Sequence, residues 1–145
     1  MLTPKHNQLL VDLQSIKKNI DFFKSLLPKK TRLLAVLKAN AYGTNAVYLS
    51  KYLFSWGIDI ISVADVNEGI YLRKQGVKQE ILVAGTLPEE IPFAAHYNLQ
   101  IGISNFLTLL ELLKLAKTLK SPIKVHLQIN TGMNRFGFSY KEAIE

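Results

Sequence analysis

Lys38 directly follows an apolar run, Leu33-Leu34-Ala35-Val36-Leu37, and is followed by Ala39. A run that is apolar at every position reads as a strand covered on both faces. An ammonium continuing such a strand is costly, because removal from water disfavours its charge. Three arrangements relieve that cost. A buried carboxylate can pair with it, the neutral amine can serve as a Schiff-base nucleophile, or the head group can reach solvent past the strand end. Spacing alone leaves the three open. His126, in the apolar stretch 123–129, reads as a hydrogen-bonded core histidine and not as a base. His6 and His96 carry no recognisable pattern. The chain has no cysteine, which excludes a disulfide framework, a zinc ribbon, an iron–sulfur site and a thiol nucleophile.

The elements around Lys38 alternate. Residues 12–27 place Leu13, Ile16, Ile20, Phe23 and Leu27 at helical spacing, and Pro28 ends the pattern. Residues 33–37 form the first strand. A helix is expected over 45–56, stopped by Gly57, then a buried strand over 58–63. Asp65 can cap a helix reaching Gln75, with Gly76 beyond it. Strands over 81–84, 99–103 and 123–129 are separated by a short helix opening at Pro88 and a Leu-rich helix from Ser104 or Asn105 to Leu119. A further helix begins near Lys141. Buried strands alternating with helices predict a parallel α/β sheet. No Gly-x-Gly-x-x-Gly follows the first strand and no Walker motif occurs, so nucleotide-binding versions lose weight. A (β/α)8 TIM-type barrel remains, of which these residues supply about the first five strands, because a whole barrel takes roughly 250 residues.

The 145 residues are 48% hydrophobic and 20% charged, an ordinary globular composition with enough chain for one core. The formal charge is +7, but the lysines are scattered and read as solvated helix faces and loop ends. No nucleic-acid-binding motif accompanies them. Residues 1–7 lack an apolar h-region, and the most apolar stretch, 106–119, is broken by Glu111, Lys114 and Lys117. The expectation is a cytoplasmic protein with no nucleic-acid or membrane partner.

The segment Lys38-Ala39-Asn40-Ala41-Tyr42-Gly43 resembles the pyridoxal phosphate motif of alanine racemases. Residues 61–69, 81–85 and 125–137 are similar to later stretches of that family, so the resemblance covers nearly the whole chain. It implies an isomerase that interconverts L- and D-alanine through a pyridoxal phosphate aldimine and supplies D-alanine for peptidoglycan. By that resemblance Lys38 anchors the cofactor and is the base on the D face of Cα. Tyr42 holds the cofactor phosphate through its hydroxyl. Arg135 sets its guanidinium against the phenolic oxygen and near the substrate carboxylate. In a closed barrel the first and fifth strands face each other across the mouth, so Lys38 and Arg135 can reach one ligand.

The resemblance further implies that residues 1–145 are the N-terminal part of the cofactor-binding barrel. A C-terminal β domain, absent from these residues, would supply a second base, a tyrosine, to the partner of a homodimer. The chain alone is then expected to be inactive. An inert or cofactor-binding-only fragment, and a racemase of another small amino acid such as serine, are the alternatives. Four positions depart from the family pattern. Thr44-Asn45 stands where it has His-Gly, which suggests an altered loop, because asparagine replaces a residue free to adopt positive φ. Asn130 replaces an aspartate, and Gln128 replaces a lysine that some members carbamylate. The last change predicts a less firmly oriented Arg135 unless another acceptor compensates.

Overall fold

The computed structural model describes residues 8–118 and 122–144. The reading of residues 1–7 and the expected helix end at Leu119 lie outside them. Helix α1 (Leu13–Leu26) starts where Asp12 accepts hydrogen bonds from the amides of Gln14 and Ser15. Strand β1 (Leu34–Val36) leads into α2 (Lys38–Tyr42), a single turn, and then α3 (Ala46–Ser55). Next come β2 (Ile60–Val63), α4 (Val66–Lys74) and β3 (Glu80–Val83). A 3-10 turn at Pro88–Glu90 opens into α5 (Ile91–His96), followed by β4 (Gln100–Ile103), α6 (Phe106–Ala116), β5 (Val125–Leu127) and α7 (Tyr140–Ile144). Asp65 and Asn105 cap α4 and α6 through the Glu68 and Thr108 amides, so both expected starts are found.

The five strands are all parallel and lie in chain order, β1-β2-β3-β4-β5. Each strand therefore adds beside the previous one after a crossover, which is how consecutive strands of a (β/α)8 barrel are laid down. Alternation along the strands separates two faces. Ile61, Val63, Ile81, Val83, Ile101 and Ile103 are buried in the main core with Leu49, Leu53, Val66, Leu72, Ile91, Ala94 and Leu112 from the helices. Their neighbours Ile60, Ser62, Glu80, Leu82, Gln100 and Gly102 point to the opposite, concave side.

One expectation needs correction. The first strand does not lie covered on both faces. β1 and β5 are the edges of the sheet, with Val36 and Val125 each 48% exposed, while β2 and β4 are buried throughout. An apolar run signals what a strand can bury, not how many neighbours it has. The strand also stops at Val36, so half-buried Lys38 heads a turn and does not extend a buried strand. The fifth strand is shorter than expected, and Ile129 is tied instead by an isolated bridge to Phe138.

Candidate active site

The turn that follows Lys38 is left-handed. Ala39, Asn40, Ala41 and Tyr42 have φ of 53°, 52°, 55° and 53°, and Gly43 closes the turn at φ 88°. Each L-residue in this region costs roughly 1–2 kcal/mol, and none of the first four is glycine. Hydrogen bonds fix the turn from several sides. The Ala41 amide donates to the Leu37 carbonyl at 2.8 Å and the Gly43 amide to the Ala39 carbonyl at 3.0 Å. The Asn40 side-chain oxygen accepts from the Ala46 amide at 2.9 Å, which joins the turn to α3. The Glu68 carboxylate accepts from the Ala39 amide at 2.6 Å. Asn45 keeps a positive φ of 75° and caps α3 through the Tyr48 amide, so the expected change of loop backbone is met by a residue that tolerates the same region.

Arg135 sits on the excursion between β5 and α7. Its base is closed by two backbone bonds, from Phe138 N to Gln128 O at 2.9 Å and from Asn130 N to Phe138 O at 2.7 Å. Phe138 is buried and meets Phe106 edge-on, which anchors the excursion to α6. Within it, the Asn130 side-chain oxygen accepts from the amides of Gly132 and Asn134, and its Nδ2 donates to Asn134 Oδ1 at 2.8 Å. An aspartate could accept the first two bonds but could not donate the third. The Arg135 guanidinium lies 5.5 Å from the Phe136 ring and makes no ion pair with a described residue.

Lys38 and Arg135 line one cleft of about 610 Å3 at the C-terminal ends of the strands. Ala64, Ala84 and Gly85 form part of its lining, and Met133 and Phe136 add an apolar wall. The small residues leave room beside the Lys38 amine. Tyr42 does not line this cleft; the residue is 65% exposed, with its ring centroid 6.0 Å from Lys38 Nζ. Gln128 lines the cleft and donates through Nε2 to the Ala84 carbonyl at 2.8 Å. Gly102 makes this crossing feasible, because a Cβ there would lie 2.6 Å from Gln128 Nε2 and 3.0 Å from the Ala84 carbonyl. Gln128 is thus occupied by the sheet.

Toward the N-terminal ends of the strands the same face is polar, and its groups pair with one another. Glu80 pairs with Arg32 at 2.7 Å and Lys124 at 3.1 Å, and accepts from Gln100 Nε2. These partners, Arg32 foremost and then Lys124, hold the Glu80 carboxyl down at about 2. Gln100 Oε1 meets His126 Nε2 at 2.7 Å. Since Gln100 spends its amide nitrogen on Glu80, its oxygen must accept, and His126 Nε2 donates. His126 is hydrogen-bonded as expected but lies exposed on the edge strand, outside the core.

Glu68, Asn40 and the strand-end residues Ala64, Ala84 and Gly85 were not singled out from sequence. The only signal for Glu68 was its place three residues after a capping aspartate, which marks a helix start and nothing more.

Residues 11–145 match the family described as "Alanine racemase, N-terminal domain". Among curated relatives, the alanine racemase of Limosilactobacillus fermentum is 36% identical over 97% of this chain and 40% of its own length. Alanine racemase 1 of Bacillus subtilis is 35% identical over 93% of this chain and 34% of its own. Among solved structures, the Clostridium difficile alanine racemase in complex with cycloserine superposes with a TM-score of 0.81 at 32% identity, covering 88% of this chain and 35% of that one. The Bacillus anthracis alanine racemase with bound L-Ala-P gives 0.81 at 31% identity, over 91% and 34%. The chain thus spans about 40% or less of the length of these relatives. With the sheet order, the cleft and these matches together, the chain belongs to the alanine racemase N-terminal domain family.

Proposed function

We propose that this chain is the cofactor-anchoring part of an alanine racemase, with Lys38 as the anchoring amine and D-face base. The observation that carries the reading is the placement of Lys38 and Arg135, 97 positions apart in sequence, on one cleft at the C-terminal mouth of a parallel sheet. The donor set fits pyridoxal phosphate. A primary amine suits an aldehyde, and a guanidinium fork suits a phenolate and a carboxylate. The volume lies within the roughly 300–1,000 Å3 usual for small-molecule sites. When bound, the cofactor supplies an electron sink that makes the substrate Cα–H acidic.

Lys38 Nζ takes or returns the proton on one face of Cα. Arg135 fixes the carboxylate, and Met133 and Phe136 offer apolar surface beside it. Tyr42 directs its hydroxyl to the phosphate, which requires its exposed ring to turn toward the ligand. A second base on the opposite face, a tyrosine of the C-terminal domain of a homodimer partner, completes racemisation. The product D-alanine would serve peptidoglycan synthesis, and the site of action would be the cytoplasm. The names of the relatives support alanine and lend nothing to serine. No helix of the described residues is long and apolar enough to cross a membrane.

The test is Cα proton exchange in deuterated water with added pyridoxal phosphate. Residues 1–145 are expected to exchange D-alanine slowly, L-alanine far less, and to racemise neither. Lys38→Ala should abolish the exchange. Equal exchange of both enantiomers, or exchange unaffected by Lys38→Ala, contradicts the assignment.

A further inference from the structure

We propose that Glu68 is a positioning residue for Lys38: its carboxylate bridges the amides of Ala39 and Ala64 and so sets the left-handed turn that aims the lysine into the cleft. This rests on the reading of Lys38 as the reactive amine.

The two carboxylate oxygens do different work. Oε2 accepts from the Ala64 amide at 2.8 Å, while the Glu68 amide donates to Asp65 Oδ1 at 3.0 Å. The second is the N-cap bond of α4; the first falls on the amide one residue before the cap, at the end of β2, and uses only one oxygen of the glutamate. Oε1 has no part in the helix start; it accepts from the Ala39 amide at 2.6 Å, 29 positions away. Ala39 is covalently joined to Lys38. Its amide lies at the head of the turn, where an N–H has no acceptor within the turn. A charged acceptor makes this bond stronger than a neutral one. Rotating the Lys38–Ala39 peptide would swing the Lys38 side chain, so the carboxylate controls the direction of the amine without touching it. The same clamp holds together the ends of β1 and β2, since Ala64 directly follows β2 and lines the cleft beside Lys38.

A purely structural role for Glu68 would be capping of α4, and Asp65 caps the same helix without reaching the turn. The pair therefore separates the two roles. In Glu68→Gln one oxygen becomes an NH2 group that cannot accept. The nearby Ala64 amide, four residues away, retains the remaining oxygen, and Ala39 faces a donor.

Two quantities are measured on residues 1–145: amide hydrogen exchange of residues 39–42, and borohydride-fixed labelling of Lys38 by pyridoxal phosphate relative to exposed Lys51 on α3. Glu68→Gln should speed exchange at Ala39 about tenfold and lower relative Lys38 labelling about tenfold, the scale of one lost charge-assisted bond. Asp65→Ala should lower the melting temperature at least as much while leaving both quantities within about twofold, the cap being lost without the turn. If Glu68→Gln fails to fold, Glu68→Asp keeps the charge but is one methylene short of spanning both amides, and reads the same quantities. Wild-type exchange at Ala39 in these variants, or equal effects from Asp65→Ala, overturns the proposal. Absence of selective Lys38 labelling in the wild type sinks the reading of Lys38 alone, because exchange at Ala39 still decides what Glu68 does.

Discussion

At the N-terminal ends of the strands, Arg32, Glu80, Gln100, Lys124 and His126 satisfy one another across the concave face. At the C-terminal ends of the same strands, Lys38 and Arg135 face a cleft lined with alanine and glycine, and Lys38 leads into a turn of four left-handed residues. The floor spends its charges on itself. At the mouth neither Lys38 nor Arg135 makes an ion pair among the described residues, and Lys38 leads into a costly backbone conformation. In barrels, polar groups at the first end read as stability and those at the second as chemistry. The contrast predicts that substitutions at the mouth alter binding, whereas those below it alter folding.

The largest expected effect is at Arg135. Arg135→Ala should weaken pyridoxal phosphate binding about 30-fold, roughly 2 kcal/mol for a lost charge-assisted contact, with little change in melting temperature. Arg135→Lys should recover only part of this, because a point charge replaces a planar fork. An absorbance titration reads both, and unchanged affinity in Arg135→Ala would remove Arg135 from the site.

The sheet edges come next. Among the described residues β1 and β5 each pair on one side only. Unpaired strand edges invite association. Light scattering of residues 1–145 should show mass rising with protein concentration; a monomer at all concentrations with cooperative unfolding would contradict this.

The floor gives a smaller, pH-dependent effect. The folded Glu80 carboxyl sits at about 2 against an ordinary 4.5, lowered by Arg32 and then Lys124. A depressed carboxylate contributes stability above its unfolded value and loses it as the pH falls toward the folded value. Glu80→Gln should therefore be about 1 kcal/mol less stable than wild type at pH 7, a modest figure because these pairs are partly solvated. The gap should close between pH 4.5 and about 2. Urea titrations at several pH values measure it, and a constant gap would exclude the network as its cause. Binding at pH 7 should be unaffected.

The last effect, of similar size, concerns the loop that carries the left-handed turn into α3. Asn45→Ala removes a cap at positive φ and should cost about 1 kcal/mol or more, while Asn45→Gly should cost only a few tenths. Equal losses in thermal unfolding would show that the positive φ is not held there.

Legibility in the sequence followed how local the chemistry was. Asp65 marked a helix start to the residue and Asn105 was one of two candidates for another, since a cap bonds to an amide three positions away. The parallel order of strands followed from their alternation with helices. The floor was invisible, because Arg32, Glu80 and Lys124 meet only through strand register. The left-handed turn was equally hidden. Nothing in Ala39-Asn40-Ala41-Tyr42 advertises positive φ, and the Glu68 bond to it reaches across from the start of α4, beyond the next strand. Lys38 could be suspected from its apolar approach, but its role came from motif resemblance. Its exposure was misjudged, since an apolar run looks the same on an edge strand and a central one.

The central claim is that Lys38 at the mouth is the amine that anchors the cofactor. It is tested most directly by treating residues 1–145 with pyridoxal phosphate, reducing with borohydride and mapping the adduct by peptide mass. The account predicts label concentrated on the peptide carrying Lys38 and lost from the protein in Lys38→Ala. Label spread over the surface lysines, with total incorporation unchanged by Lys38→Ala, would contradict it.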